Sequence, residues 1–318
     1  MNMVDAFYLM NYVDDQFKVN AQLTEEHERI ANEFLKDIKK FDDKTFNKLL
    51  VSATFIPDFY EPDSSRETLF SKLVEAMVTE WAIRMGYEAA MQKEKASYED
   101  VRIAIKDKLI VVDAKTFRLG RSQAAPNVKD FLKLEDIRKW CSRYKNAIGG
   151  LVTYPCLHEW KNKSDAYTYC STKDMPTVML SYKHLAFLLD NKENFNTEKL
   201  IELWDYENIF PEKLPKNLKG GNKKPYWDAI NKKLIEITNV GDKEYVKCLN
   251  RYDKIINQAV KEIINFLETI IINKKEEVAR EIRKLSDKQI REAYEEYKIS
   301  QETEEYQRIL ENVKAFRL

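Results

Sequence analysis

"EDVRIAIKDKLIVVDAK", Glu99 to Lys115, is the stretch whose reading decides the fold. Val101, Ile103 and Ile105 alternate with Arg102 and Ala104, the two-residue period of a strand with one buried face. Leu109 to Val112 is apolar without interruption, which suits a strand covered on both faces. The charged "KDK" between them (106–108) is short enough to be a turn, so the two runs read as a β-hairpin. Side chains two apart in a strand point the same way, which sets Asp113 and Lys115 together while Val112 and Ala114 face oppositely. The hairpin also brings Asp100 back alongside Asp113.

Two neighbouring carboxylates repel unless a cation lies between them. Oxygen ligands suit Mg²⁺, with Mn²⁺ as a substitute, and a lysine beside that ion is placed to orient or deprotonate a water and to neutralise charge on a phosphate. This is the chemistry of metal-assisted phosphodiester hydrolysis. The triplet alone is weak, because Asp37-Ile-Lys39, Asp42-Asp43-Lys44, Glu159-Trp-Lys161 and Asp190-Asn-Lys192 match it too, and a plain salt bridge at a strand end is the competing reading. Position at the end of an apolar strand is what distinguishes Asp113. A haloacid-dehalogenase-type DxDxT motif fits poorly, since Lys115 stands where the second acid belongs.

Outward from the hairpin, Ser64 with Glu67 three residues on has the spacing of a helix capping box. Phe70, Leu73, Val74, Met77, Trp81 and Met85 follow at helical intervals, predicting a helix packed on the sheet. Residues 128–145 have helical period, 149–155 and 176–182 read as strands, and "YKHLAFLLDN" as a helix behind them. The fold class is therefore α/β (α+β), a mixed sheet flanked by helices. "FPEKLPKNLKGGNKKP" (210–225) gathers prolines and glycines, placing a boundary near 215/216 between a core and a largely helical C-terminal region, 216–318. There Ile255, Ile256, Ala259, Ile263, Phe266, Leu267, Ile270 and Ile271 fall at near-heptad spacing, which suits helices packing on the core, on each other, or on a second subunit.

With 53 basic and 53 acidic residues among 318, the chain carries no net field that advertises a polyanionic partner, so any DNA contacts must be local. Four cysteines without CxxC spacing and three scattered histidines speak against a structural zinc or a disulfide framework. No signal-like N-terminus and no membrane-length apolar run are present, so a cytoplasmic protein is expected. His158 and His184 read as structural.

"SSRETLFSKLVEA", "YEDVRIAI", "IVVDAKTFRLGRS", "NVKDFLKLEDIRKW", "TYP" and "LSYKHLAFLL" occur in this order. They resemble the HindIII-like type II restriction endonucleases of the PD-(D/E)xK nuclease superfamily, over about Asp43 to Lys216; the first forty residues and the tail after about Asn217 do not match clearly. The resemblance implies Asp100, Asp113 and Lys115 as metal-binding and catalytic residues, the Ala114 carbonyl as a further metal ligand, and a glutamate from the preceding helix. Glu67 fits the family's "E-x-LFSK" segment best, and Glu75 is another acid on that helix.

Arg118, Arg121, Ser122, Gln123, Asn127 and Lys129 follow the catalytic strand and carry groups for phosphate contact or base reading. Lys213 to Lys233, with Tyr226 and Trp227 inside it, is a second basic stretch. The expected function is Mg²⁺-dependent cleavage of double-stranded DNA at a short palindrome, leaving 5′-phosphates. A homodimer would match the palindrome, and a DNA methyltransferase of the same system would be its functional partner. A structure-specific repair nuclease and a non-catalytic DNA-binding protein are the alternatives.

Overall fold

The computed structural model describes residues 4–19, 26–92, 98–120, 132–155, 170, 175–209 and 224–315. The chain forms two compact units, Met1–Val260 and Lys261–Leu318. The first begins with helices α1 (Tyr8–Val19), α2 (His27–Ile38) and α3 (Asp43–Ser52) and the short strand β1 (Phe55–Ile56), followed by α4 (Ser65–Arg84). Strands β2 (Glu88–Met91), β3 (Val101–Ile105), β4 (Lys108–Ala114) and β5 (Phe117–Arg118) come next. Helix α5 (Leu134–Cys141), strand β6 (Ala147–Tyr154), strand β7 (Thr177–Ser181) and helix α6 (Tyr182–Asp190) complete the expected order.

The sheet runs β2-β3-β4-β6-β7. The first three strands are antiparallel, and β4, β6 and β7 are parallel, so the mixed sheet expected from sequence is found. The hairpin has the register Val101↔Val112 through Ile105↔Lys108, with Lys106 at φ 56° in its tight turn. Strand β4 is flanked on both edges and buried from Leu109 to Ala114, which is why its sequence lacks alternation. Close approach of β6 to the segment entering β7 requires glycine: a Cβ on Gly149, at φ +152°, would fall 2.1 Å from the Pro176 carbonyl oxygen.

Helix α4 packs on the sheet with α1 and α2 also against it, and the α6 end touches it through Trp81, whose Nε1 donates to the Leu185 carbonyl at 2.8 Å. Its apolar stripe is thus covered, but so are Glu75, Thr79 and Glu80. Trp81 is fully buried, and removing such a side chain costs about 3–5 kcal/mol. At the helix end, Arg84 holds Asp43 (2.7 Å), Glu80 (2.8 Å) and the Ile38 carbonyl (2.9 Å), anchoring the C-terminal end of α4 to α2 and α3.

The expected boundary near 215/216 lies outside the described residues. Helices α7 (Tyr206–Ile209), α8 (Lys224–Thr238) and α9 (Asp242–Ile282) follow, and α10 (Asp287–Ala315) lies in the second unit. Tyr226, expected within a basic DNA-facing stretch, is instead buried: its hydroxyl accepts from the Met179 N–H at 2.9 Å and donates to the Thr177 carbonyl at 3.4 Å. Its large apolar ring with one polar tip is used to tie α8 to β7.

Candidate active site

The end of β4 is held by backbone bonds on both sides. The Lys115 N–H donates to the Thr153 carbonyl of β6 at 2.8 Å, and the Tyr182 hydroxyl donates to the Lys115 carbonyl at 2.8 Å. On the hairpin side, the Asp100 N–H donates to the Val112 carbonyl at 3.0 Å, and Asp100 Oδ2 accepts from the Ala114 N–H at 2.8 Å. Asp100, Asp113 and Lys115 are therefore assembled on rigid backbone, as the hairpin reading requires. Asp113 is nearly buried, and its Oδ2 lies 2.6 Å from Lys115 Nζ.

Helix α4 approaches through Ser71, whose hydroxyl lies 3.5 Å from that of Thr116. One turn on, Glu75 is buried and paired with Lys72 at 2.6 Å. The Asp100 carboxyl is pushed well above the usual carboxylate range, first by loss of solvent on burial and then by the charges of Glu75 and Asp113. The Ala114 N–H and Lys115 oppose this only in part. Three acids thus share one electrostatic neighbourhood.

Glu67 is elsewhere. Ser64 caps α4 by accepting from the Glu67 N–H at 3.4 Å, while Glu67 Oε2 accepts from the Asp63 N–H at 2.6 Å and Oε1 lies 3.0 Å from Arg118 Nη2. The reciprocal half of the expected capping box is shifted by one residue. Of Glu67 and Glu75, the structure brings Glu75 to the Asp100–Asp113 pair and leaves Glu67 at the helix start.

Arg118, expected to face DNA, is committed within the fold. Its Nη1 donates to the carbonyls of Pro57 (3.0 Å), Asp58 (3.3 Å) and Tyr60 (2.7 Å), and β5 pairs with β1 beside it. A planar guanidinium suits several fixed acceptors at once. Arg121, Ser122, Gln123, Asn127 and Lys129 lie outside the described residues, as does His158. His184 is structural: its Nδ1 accepts from the Ser181 N–H at 3.1 Å, and burial pushes its pKa down to about 3. Tyr182 escaped the sequence reading; its place at the β7–α6 junction was the only signal for it.

Among the described residues, no three His, Cys, Asp or Glu side chains are gathered as a metal-holding cluster. Asp113 faces Lys115, Asp100 the Ala114 N–H, and Glu75 faces Lys72.

The chain resembles the type II restriction enzyme HindIII of Haemophilus influenzae, being 27% identical over 257 residues, which cover 79% of this chain and 78% of that protein. The HindIII restriction endonuclease family matches residues 10–309, so the likeness reaches both the N-terminal helices and the helical tail, beyond the Asp43–Lys216 span legible from motifs. The chain belongs to the HindIII restriction endonuclease family and is a site-specific deoxyribonuclease.

Proposed function

We propose that this enzyme cuts both strands of duplex DNA at one short palindromic sequence, with Mg²⁺ as cofactor, leaving 5′-phosphate ends. The observation that carries the reading is the meeting of Asp100, Asp113 and Lys115 at the end of β4 with Glu75 buried beside them. An all-oxygen donor set in which burial first, and then the charges of Glu75 and Asp113, hold the Asp100 carboxyl above the usual carboxylate range fits a hard divalent cation. Asp100, Asp113 and the Ala114 carbonyl would hold it, with Glu75 rather than Glu67 supplying the helical carboxylate; Mn²⁺ meets the same demands.

When bound, the cation supplies Lewis-acid stabilisation of charge on the scissile phosphate. The chain's own residues do the rest. Lys115, whose ammonium stands beside Asp113, would orient the attacking water and neutralise the charge that builds on the phosphate oxygens. Thr153 and Tyr182 keep its backbone in place while this happens.

The chain leaves the site through Gly120, whose N–H donates to Asp58 Oδ2 at 2.9 Å. In this reading Arg121, Ser122, Gln123, Asn127 and Lys129, next in sequence, hold phosphates and read base edges. The core through residue 215 carries the chemistry, and the helical region 216–318 serves the duplex or a second subunit. A homodimer presents one such site to each strand, and a methyltransferase of matching specificity protects the host's own DNA.

Incubation with unmethylated phage DNA and Mg²⁺ should give discrete bands with sequence-fixed 5′-phosphate ends. Asp113→Ala and Lys115→Ala should each lower cleavage by about 10³-fold or more while DNA binding persists, on the scale of losing a transition-state charge contact. Ends scattered in sequence but fixed at branched or damaged DNA would replace this reading with that of a structure-specific nuclease.

A further inference from the structure

Of the two acids carried by the hairpin, Asp100 has less support from the sheet. Strand β3 starts at Val101, so Asp100 lies just beyond the ladder, at the end of the hairpin away from its turn, whereas Asp113 lies within β4 in register with Val152 of β6. Backbone at the end of an element opens more readily than backbone inside it. The hydrogen bonds that Asp100 makes are to neutral groups: its N–H donates to the Val112 carbonyl, its carbonyl accepts from the Gln92 N–H at 3.1 Å, and its Oδ2 accepts from the Ala114 N–H. The charges of Glu75 and Asp113 both bear on its buried carboxyl. Repulsion within the site thus falls on a residue at a strand end.

The residues on either side of Asp100 are gripped from outside the hairpin by one dipeptide, Arg143-Tyr144, which follows α5. The Tyr144 hydroxyl donates to Glu99 Oε1 at 2.6 Å and accepts from Arg102 Nη1 at 3.4 Å, and the Arg102 guanidinium lies 5.4 Å from the centre of the Tyr144 ring. The Arg143 guanidinium lies 4.4 Å over the ring of Tyr98. Glu99 is buried, and among the described residues its Oε2 has no hydrogen-bond partner. A buried carboxylate that gave up the phenol would lose a bond that water does not replace, which favours keeping this one closed. Burial, and then the bond to Glu99, push the Tyr144 phenol above its usual range, so it stays a donor. The gripping residues are themselves fixed: α5 packs on β6 and β4, the Tyr144 N–H donates to the Cys141 carbonyl at 3.1 Å, and the Tyr144 carbonyl accepts from the Ala147 N–H at 3.3 Å, where β6 begins.

We propose that Tyr144 is a positioning residue of the cleavage reaction: with Arg143 it latches Tyr98 and Glu99 to α5 and thereby holds Asp100 in place as a metal ligand. This rests on the metal reading of Asp100 above and adds to it residues that do not touch the cation. A ligand held in position before the cation arrives binds it more tightly than one that must first be brought back, and groups that orient a ligand act on metal affinity in this way.

Mg²⁺ titration of single-turnover duplex cleavage, together with Mn²⁺ binding to the free enzyme read from its spin-resonance signal, tests this on Tyr144→Phe, which keeps the ring and removes the hydroxyl. At equal folded fraction, half-saturating Mg²⁺ and the Mn²⁺ dissociation constant should each rise by about 10-fold, the low end for a group that orients a metal ligand. Glu99→Gln keeps an acceptor for the phenol and should stay within about twofold of the parent. Tyr98→Ala, at an exposed ring whose loss leaves the core intact, removes the Arg143 contact and should raise both constants by about threefold. Lower stability with unchanged Mg²⁺ and Mn²⁺ dependence would make Tyr144 structural and overturn the latch. An equal rise from Glu99→Gln would overturn it too, since the charge and not the bond would then be at work. A parent that cleaves without divalent cation and takes up no Mn²⁺ overturns the metal reading, and the latch with it.

Discussion

Replacing Glu75 and Glu67 separately by glutamine should give opposite signatures, because these two acids of α4 have different neighbours. Glu75 is buried, 2.6 Å from Lys72, and adds its charge to the Asp100–Asp113 pair. Glu75→Gln keeps an acceptor for Lys72 and relieves repulsion on Asp100, so the metal-free fold should lose only about 1 kcal/mol, the scale of one ordinary hydrogen bond. Its effect falls on the cation: loss of a supporting carboxylate lowers metal affinity by roughly 10–100-fold. Titrating Mg²⁺ in a single-turnover duplex-cleavage assay should therefore move the half-saturating concentration upward by that factor. Glu67→Gln loses the charge facing Arg118 at 3.0 Å, a pair about one-fifth exposed, and should cost about 0.5–1 kcal/mol of stability. Cleavage should stay within about threefold of the parent at equal folded fraction, since no charge of the acid cluster is touched. If Glu67→Gln shifts the Mg²⁺ dependence and Glu75→Gln does not, the assignment of the helical acid is wrong.

Tyr182→Phe removes the hydroxyl that holds the Lys115 carbonyl at 2.8 Å. It should lower stability by about 1–2 kcal/mol and the single-turnover rate by about 5–10-fold, with DNA affinity retained; an unchanged rate would reduce Tyr182 to packing. His184 has a pKa depressed to about 3 from 6.5 by burial and Lys183, against a smaller upward pull from Asn231. A depressed folded pKa contributes stability that is present above pH 6.5 and lost as pH falls toward 3. From pH 6.5 to 5 that loss is about 2 kcal/mol. Denaturant unfolding of the parent should show this decline, and His184→Gln, compared over the same interval, should lack it.

Much of the fold was legible because its strongest local patterns agree with its tertiary environment. The hairpin register followed from alternation in 101–105 and a short turn, and the α4 core stripe from residues at helical spacing. Strand β2 was not legible: "EAAM" has neither alternation nor β-branched residues, and it is a strand because β3 offers it an edge. Strands β1 and β5 are two residues each and exist through their pairing with one another. Tyr226 looked like a DNA-facing aromatic among lysines, since composition does not show that its ring faces β7.

For the site, sequence by itself determined what is local. Asp113 and Lys115 share a strand face because the β repeat is two, and Asp100 joins them because a tight turn folds the hairpin back. Which helical acid accompanies them was decided only by tertiary structure. Glu67 and Glu75 are eight residues apart and both lie on α4, so spacing could not choose between them. The choice was made by where α4 crosses the sheet, which sets Ser71 and Glu75 over the end of β4 and leaves Glu67 at the helix start with Arg118. The use of Tyr182 to hold Lys115 is of the same kind, a contact across 67 positions of chain created by the parallel pairing of β4, β6 and β7.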